Sequence, residues 1–69
     1  MSHTSKHHRK PRSLGGLTTK ENISKVDENE HRAWHTLFKN WSPEKIAKKI
    51  NEKWLDPEFY FEVRRREDD

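Results

Sequence analysis

Two kinds of apolar spacing divide the chain. Residues 21–27 (ENISKVD) set Ile23 and Val26 among polar neighbours in an imperfect strand alternation, whereas from residue 28 onward apolar positions recur at helical spacing. Lys6–Arg12 reads as a first extended segment, with Pro11 restricting Lys10 to extended or polyproline geometry. Between the two lies the polar turn region Ser13–Lys20 (SLGGLTTK), whose glycine pair admits backbone angles closed to other residues. The pattern predicts a hairpin.

A helix is expected next. Asp27 is an N-cap with Glu30 three residues on, and acids in the first turn suit the positive end of a helix. Trp34, Leu37, Phe38 and Trp41 then share one face. His31 and His35 stand a turn apart at its edge, and Asn40 is the expected stop. Ser42 followed by Pro43 starts a second helix, with proline at the position where its missing N–H costs nothing. Ile46, Ala47, Ile50 and Trp54 form its apolar stripe, while Lys45, Lys48, Lys49, Glu52 and Lys53 fall mostly outside. Leu55–Pro57 ends it, and Phe59–Val63 (FYFEV) reads as a third strand or an extended arm packing back on the core.

The fold class is therefore α+β, organised as one domain over residues 6–63: a hairpin and helix in 6–38, a second helix in 42–54 and an extended arm in 59–63. A flexible tail (1–5, including His3) precedes it and a charged tail (64–69) follows. The helix aromatics are expected inside, because a chain that is only 28% hydrophobic needs them there. Tyr60 and Phe61 are expected to dock on the chain's own helices. The alternative for that arm, given Arg64, Arg65 and Arg66 beyond it, is stacking on single-stranded nucleic acid.

Composition sharpens this picture. At 69 residues the chain lies near the size at which folds draw on a metal, a disulfide or a partner. It has no cysteine, so disulfides and thiolate zinc sites are excluded, and histidine remains as the strong nitrogen ligand. There are five histidines, four of them in two tight pairs: His7 with His8, and His31 with His35. The net charge of +3 is uneven, since residues 1–20 hold Lys6, Arg9, Lys10, Arg12 and Lys20 and no acid. A one-sided cationic segment suits phosphate ligands, nucleic acid first; its plainer reading is a solvated basic tail. No stretch approaches the ~20 apolar residues of a membrane span, and the N-terminus lacks the apolar middle of a secretory signal. A soluble, cytoplasmic protein is expected.

The spacing of His31 and His35 lets both imidazoles reach one ion, although such pairs are also common on plain helix surfaces. A third histidine from a facing hairpin would leave a coordination position open, as a catalytic metal requires. Neighbouring strand residues point to opposite faces, so His7 and His8 should divide their labour. One ligates, and the other stays free to take a proton from water.

The ordered set HHRKPRSLGG, EN and VDENEHRAWH, covering about residues 6–38, resembles the HNH or ββα-metal (His-Me finger) endonucleases, which include toxin DNase domains and small phage and bacterial enzymes. The resemblance implies a ββα-metal core and metal-dependent hydrolysis of a nucleic-acid phosphodiester, as an endonuclease or nickase of low sequence specificity. It implies His7, His31 and His35 as ligands of one divalent ion, His8 as general base, and Asn22 as the residue that ties the hairpin loop and helps orient that base. Arg12, with Arg9, Lys10 and Arg32, is expected at the nucleic acid. Three imidazoles favour Zn2+ or Ni2+, although family members also work with Mg2+ or Mn2+. DNA is expected over RNA, in a bacterial or phage-infected cell, with a protein partner or a homodimer allowed. Many members carry aspartate where this chain has His7, and many carry cysteine pairs that it lacks. The alternative reading is an HNH-like module that binds nucleic acid or a partner protein without cutting, as a phage-type regulator does.

Overall fold

A computed structural model describes residues 3–67. Strands β1 (Thr4–His8) and β2 (Ile23–Asp27) pair antiparallel from Thr4↔Asp27 to His8↔Ile23. Helix α1 (Glu28–Phe38) follows β2 with no intervening residue and packs across both strands. Helix α2 (Pro43–Lys49) comes next and runs on into a π-helical turn, Ile50–Trp54. The α+β order expected from the pattern is the order observed, up to the arm. That arm forms no strand: residues 58–67 make no regular element.

The first strand differs from expectation. It begins at Thr4, inside the segment read as a tail, and ends at His8 rather than Arg12. The reason is pairing: β1 lasts as long as β2 can bond it, and beyond His8 the side chain of Asn22 takes over the backbone of Lys10. Residues 9–22 then form a self-bonded loop. Leu14 and Gly16 both donate their N–H to the Pro11 carbonyl, closing a single 3-10 turn at Arg12–Leu14. Gly15 sits at φ 91°, and a Cβ on Gly16 would overlap the Lys10 carbonyl, so both glycines are required by the turn.

The helix signals act as the sequence implies. The Asp27 carboxylate accepts the Glu30 N–H at 3.0 Å, and the Ser42 hydroxyl accepts from Lys45 N–H, with Pro43 at the first position. α1 ends at Phe38, two residues before the expected stop: Lys39 turns to φ 50° while its N–H still reaches the His35 carbonyl. The Lys49 ammonium donates to the Leu37 carbonyl at 2.8 Å, satisfying a C-terminal group of α1 from α2. Lys45 and Lys49 also stand over the Trp41 ring, 4.5 and 5.1 Å from its centroid.

The core is smaller than the sequence promises. Phe38 is the one buried hydrophobic side chain among the described residues, with Trp34 edge-on at 4.7 Å. Leu37, Trp41, Ile46 and Ile50 are half-buried. Trp34 is 38% exposed and Trp54 is 65% exposed, so Trp54 does not join the stripe assigned to it. The π-turn explains this: Leu55 N–H bonds the Ile50 carbonyl, and the wider winding removes the alignment that an α-helix gives residues four apart. Tyr60 and Phe61 are exposed as well, against the expectation that they dock. No helix among the described residues is long and apolar enough to cross a membrane.

Candidate metal centre

Strand alternation and the register place Ser5 and His7 of β1 on one face with Ser24 and Val26 of β2. That face meets α1, where His31 and His35 stand one turn apart. Three imidazoles therefore converge. His7 lies edge-on to both, with ring centroids 5.0 Å from His31 and 5.6 Å from His35. Each ring offers a nitrogen such that the three ligand atoms all lie within 4.8 Å of one another.

The donor set fits a metal ion. Zn–N bonds of about 2.0–2.1 Å put neighbouring nitrogens about 3.4 Å apart in a tetrahedron. Here the Nε2 atoms of His31 and His35 are 2.9 Å apart, and one nitrogen from each of the three rings lies within 4.8 Å of the others, a spacing that one ion can span with small side-chain shifts. Nδ1 of His7 is buried without a hydrogen-bond partner, a condition that costs about 1–3 kcal/mol unless something takes its lone pair or proton. Burial, and next the neighbouring His31 and His35, push the His7 imidazole below its ordinary pKa and so favour the neutral form that a ligand needs.

Ser5 completes this arrangement, and sequence reasoning missed it. Its hydroxyl lies 2.7 Å from His31 Nδ1. When His31 presents the Nε2 lone pair to the cluster, Nδ1 carries the hydrogen and donates it to Ser5 Oγ, which fixes both tautomer and ring plane. The only sequence signal is that Ser5 precedes His7 by two and so shares its strand face.

The other residues expected at the site are spread unevenly. His8 points to the opposite strand face from His7, and its Nε2 lies 3.1 Å from Thr18 Oγ1, a contact from the loop that no pattern announced. His8 and Arg12 line one depression with Lys6, and His31 and His35 line it too. Asn22 ties the loop with three bonds: Lys10 N–H to its Oδ1 at 2.7 Å, and its Nδ2 to the carbonyls of Lys10 at 3.1 Å and Leu17 at 2.8 Å. These side-chain bonds go to the loop backbone. The link to the strand bearing His8 is the backbone bond from Arg9 N–H to the Asn22 carbonyl, 2.8 Å.

The four cations do not gather. Arg9 shares the His7 face, donates to the Glu21 carbonyl at 3.4 Å, and lines a cavity of about 420 Å³ with His7, His31, Glu30, Trp34 and Val26, away from His8. Lys10 is held through its backbone by Asn22. Arg32 pairs with Glu28 at 3.0 Å in an exposed i,i+4 bridge. Arg12 alone of the four lines the depression that holds His8.

Hairpin, helix and cluster define a small ββα protein with a three-histidine site that can hold one metal ion. Comparison with known families, with curated proteins and with solved structures finds no match to the chain.

Proposed function

We propose that the chain is a metal-dependent nucleic-acid phosphodiester hydrolase of the HNH type, an endonuclease or nickase acting with low sequence specificity on DNA in preference to RNA. The observation that carries this reading is the convergence of His7, His31 and His35, with His8 and Arg12 lining one depression together with His31 and His35. His7, His31 and His35 hold one divalent ion, Zn2+ or Ni2+ by ligand type, with Mg2+ or Mn2+ as working alternatives. When bound, such an ion neutralises charge developing on phosphoryl and leaving oxygens. His8 takes the proton of the attacking water, with Thr18 holding its ring. Arg12 grips a phosphate oxygen, and Asn22 keeps the loop that bears Arg12 closed.

A second reading draws on the dispersal of the cations. With Arg9 bonded to the Glu21 carbonyl and Arg32 paired to Glu28, and neither lining the depression that holds His8, the phosphate grip near His8 rests on few side chains. A module that binds nucleic acid or a protein without cutting would have this economy. Plasmid nicking with and without EDTA, alongside His8→Ala, separates the two. Nicking that needs metal and is lost in the variant supports the hydrolase. Retained metal binding with no nicking under any of the four ions supports the binding module and ends the hydrolase reading.

A further inference from the structure

The cations expected at the nucleic acid are dispersed, yet two others stand together. The hairpin register sets Lys6 of β1 directly opposite Lys25 of β2. The bonds at the two ends of the ladder fix which kind of pair this is. Arg9 N–H donates to the Asn22 carbonyl and Glu28 N–H to the His3 carbonyl, and bonded and non-bonded pairs alternate along an antiparallel ladder. His7–Ser24 and Ser5–Val26 are therefore bonded pairs, and Lys6–Lys25 falls between them as a non-bonded one. Such a pair holds its Cα atoms about 4.5 Å apart, the closer of the two kinds.

Like charges placed directly opposite destabilise a hairpin. Among the described residues the one salt bridge joins Arg32 to Glu28, so neither Lys6 nor Lys25 has a carboxylate partner. The acid nearest on that strand face, Asp27, has its carboxylate engaged by the Glu30 N–H. Both lysines are exposed. Folding of the hairpin gains nothing from this juxtaposition, whereas an anion laid over it would.

Position indicates which anion. Strand alternation puts Lys6 on the same side of β1 as His8, and at about 3.4 Å per residue the two stand about 7 Å apart along the strand. Lys6 also lines the depression that holds His8, Arg12, His31 and His35. Lys25 continues the positive charge onto β2, outside that depression. A single small anion can answer one place in this run. A ligand that answers all of it carries negative charges in a row, as the backbone of a nucleic acid does. Residues 1–20 contribute no acid to oppose it, whereas Arg64, Arg65 and Arg66 follow Glu62 and precede Glu67, which offset them.

We infer that Lys6 and Lys25 form a backbone-holding ridge for DNA, gripping phosphates next to the one that lies at His8 and Arg12. The inference rests on the nucleic-acid reading of the site and not on cleavage. It gives the ligand class as a polynucleotide with phosphates beyond the reacting one.

Binding of a short labelled DNA duplex across a series of salt concentrations tests it. The full chain is used with Zn2+ present and in the His8→Ala background, so that cutting does not consume the duplex. Into it go Lys6→Gln, Lys25→Gln, both together, and Lys53→Gln on the π-turn as the control. Each lysine of the ridge should lower the slope of log K against log salt by about 0.9, and the pair by about 1.8, with Lys53→Gln leaving it unchanged. Without DNA, the urea midpoint should rise with either single substitution, since repulsion is relieved, and gain nothing more from the second. A chain that fails to bind the duplex at low salt overturns the inference. So does an unchanged slope in the double variant, an equal change from Lys53→Gln, or a midpoint that falls. Plasmid nicking by the wild type with an unchanged slope removes the ridge and leaves the hydrolase; a lowered slope without nicking keeps the ridge and ends the hydrolase.

Discussion

The hairpin with α1 and the stretch from α2 to the arm hold together by different means. The first half places few apolar side chains on its inner strand face, where Val26 stands among Ser5, His7 and Ser24, yet its loop and its cluster are tied by side-chain hydrogen bonds. The second half holds Trp54, Phe59, Tyr60, Phe61 and Val63, and all five are exposed. Hydrophobic residues order a chain only where something covers them. Polar groups with matched partners at short range can order a small hairpin without that cover, and an ion gathering three imidazoles would tighten it further.

Several experiments break or sharpen this contrast. Phe38→Ala should have the largest effect, about 3–5 kcal/mol in urea unfolding, because it empties the one buried hydrophobic position in the described residues. A cost below about 1 kcal/mol would mean that the polar half stands without any core. His35→Ala removes one imidazole of the cluster from an exposed helix position and should lower Zn2+ affinity at least about 100-fold by calorimetry, beyond the 10–100-fold typical of losing an outer partner. In the same preparation, hydrogen exchange of the wild type on adding Zn2+ should slow within residues 4–38 and leave 43–67 unchanged. Equal slowing in both halves would erase the contrast.

Asn22→Ala should cost about 2 kcal/mol, since three bonds to the loop backbone are lost together. Loss of the loop's exchange protection is the accompanying readout. Ser5→Ala should weaken Zn2+ binding about tenfold while leaving the unfolding midpoint of the metal-free protein nearly in place. A midpoint shift as large as that of Asn22→Ala would recast Ser5 as structural. Trp54→Ala, the smallest, should change stability by under about 0.5 kcal/mol in spite of the size of the side chain removed.

What could be read from the sequence follows the range of the interactions concerned. The two helix starts were legible because Asp27 and Ser42 act on N–H groups within a single turn. The His31–His35 spacing was legible for the same reason, and His7 with His8 could be split between faces by strand alternation alone. The start of β1 was not, because Thr4 and Ser5 carry no apolar alternation and are strand only through pairing with Asp27 and Val26. The contacts of Ser5 with His31 and of Thr18 with His8 join residues distant in sequence through hydroxyls, which leave no periodic trace. Trp54 leaves its predicted stripe because that stripe assumes an α-helical turn, and the winding past Ile50 is not α-helical. The arm's aromatic composition predicts docking of its side chains on the helices, whereas its observed anchor is backbone to amide at Asn51.

The direct passage from Asp27 into Glu28 sets a constraint on how this protein can change. With no spare residue between strand and helix, one inserted amino acid would swing everything downstream by about 100° around the helix axis. His31 and His35 would then turn away from His7 together. Length variation among descendants of this sequence should therefore accumulate in residues 9–22, on the far side of the hairpin, and stop abruptly at the joint between Asp27 and Glu28.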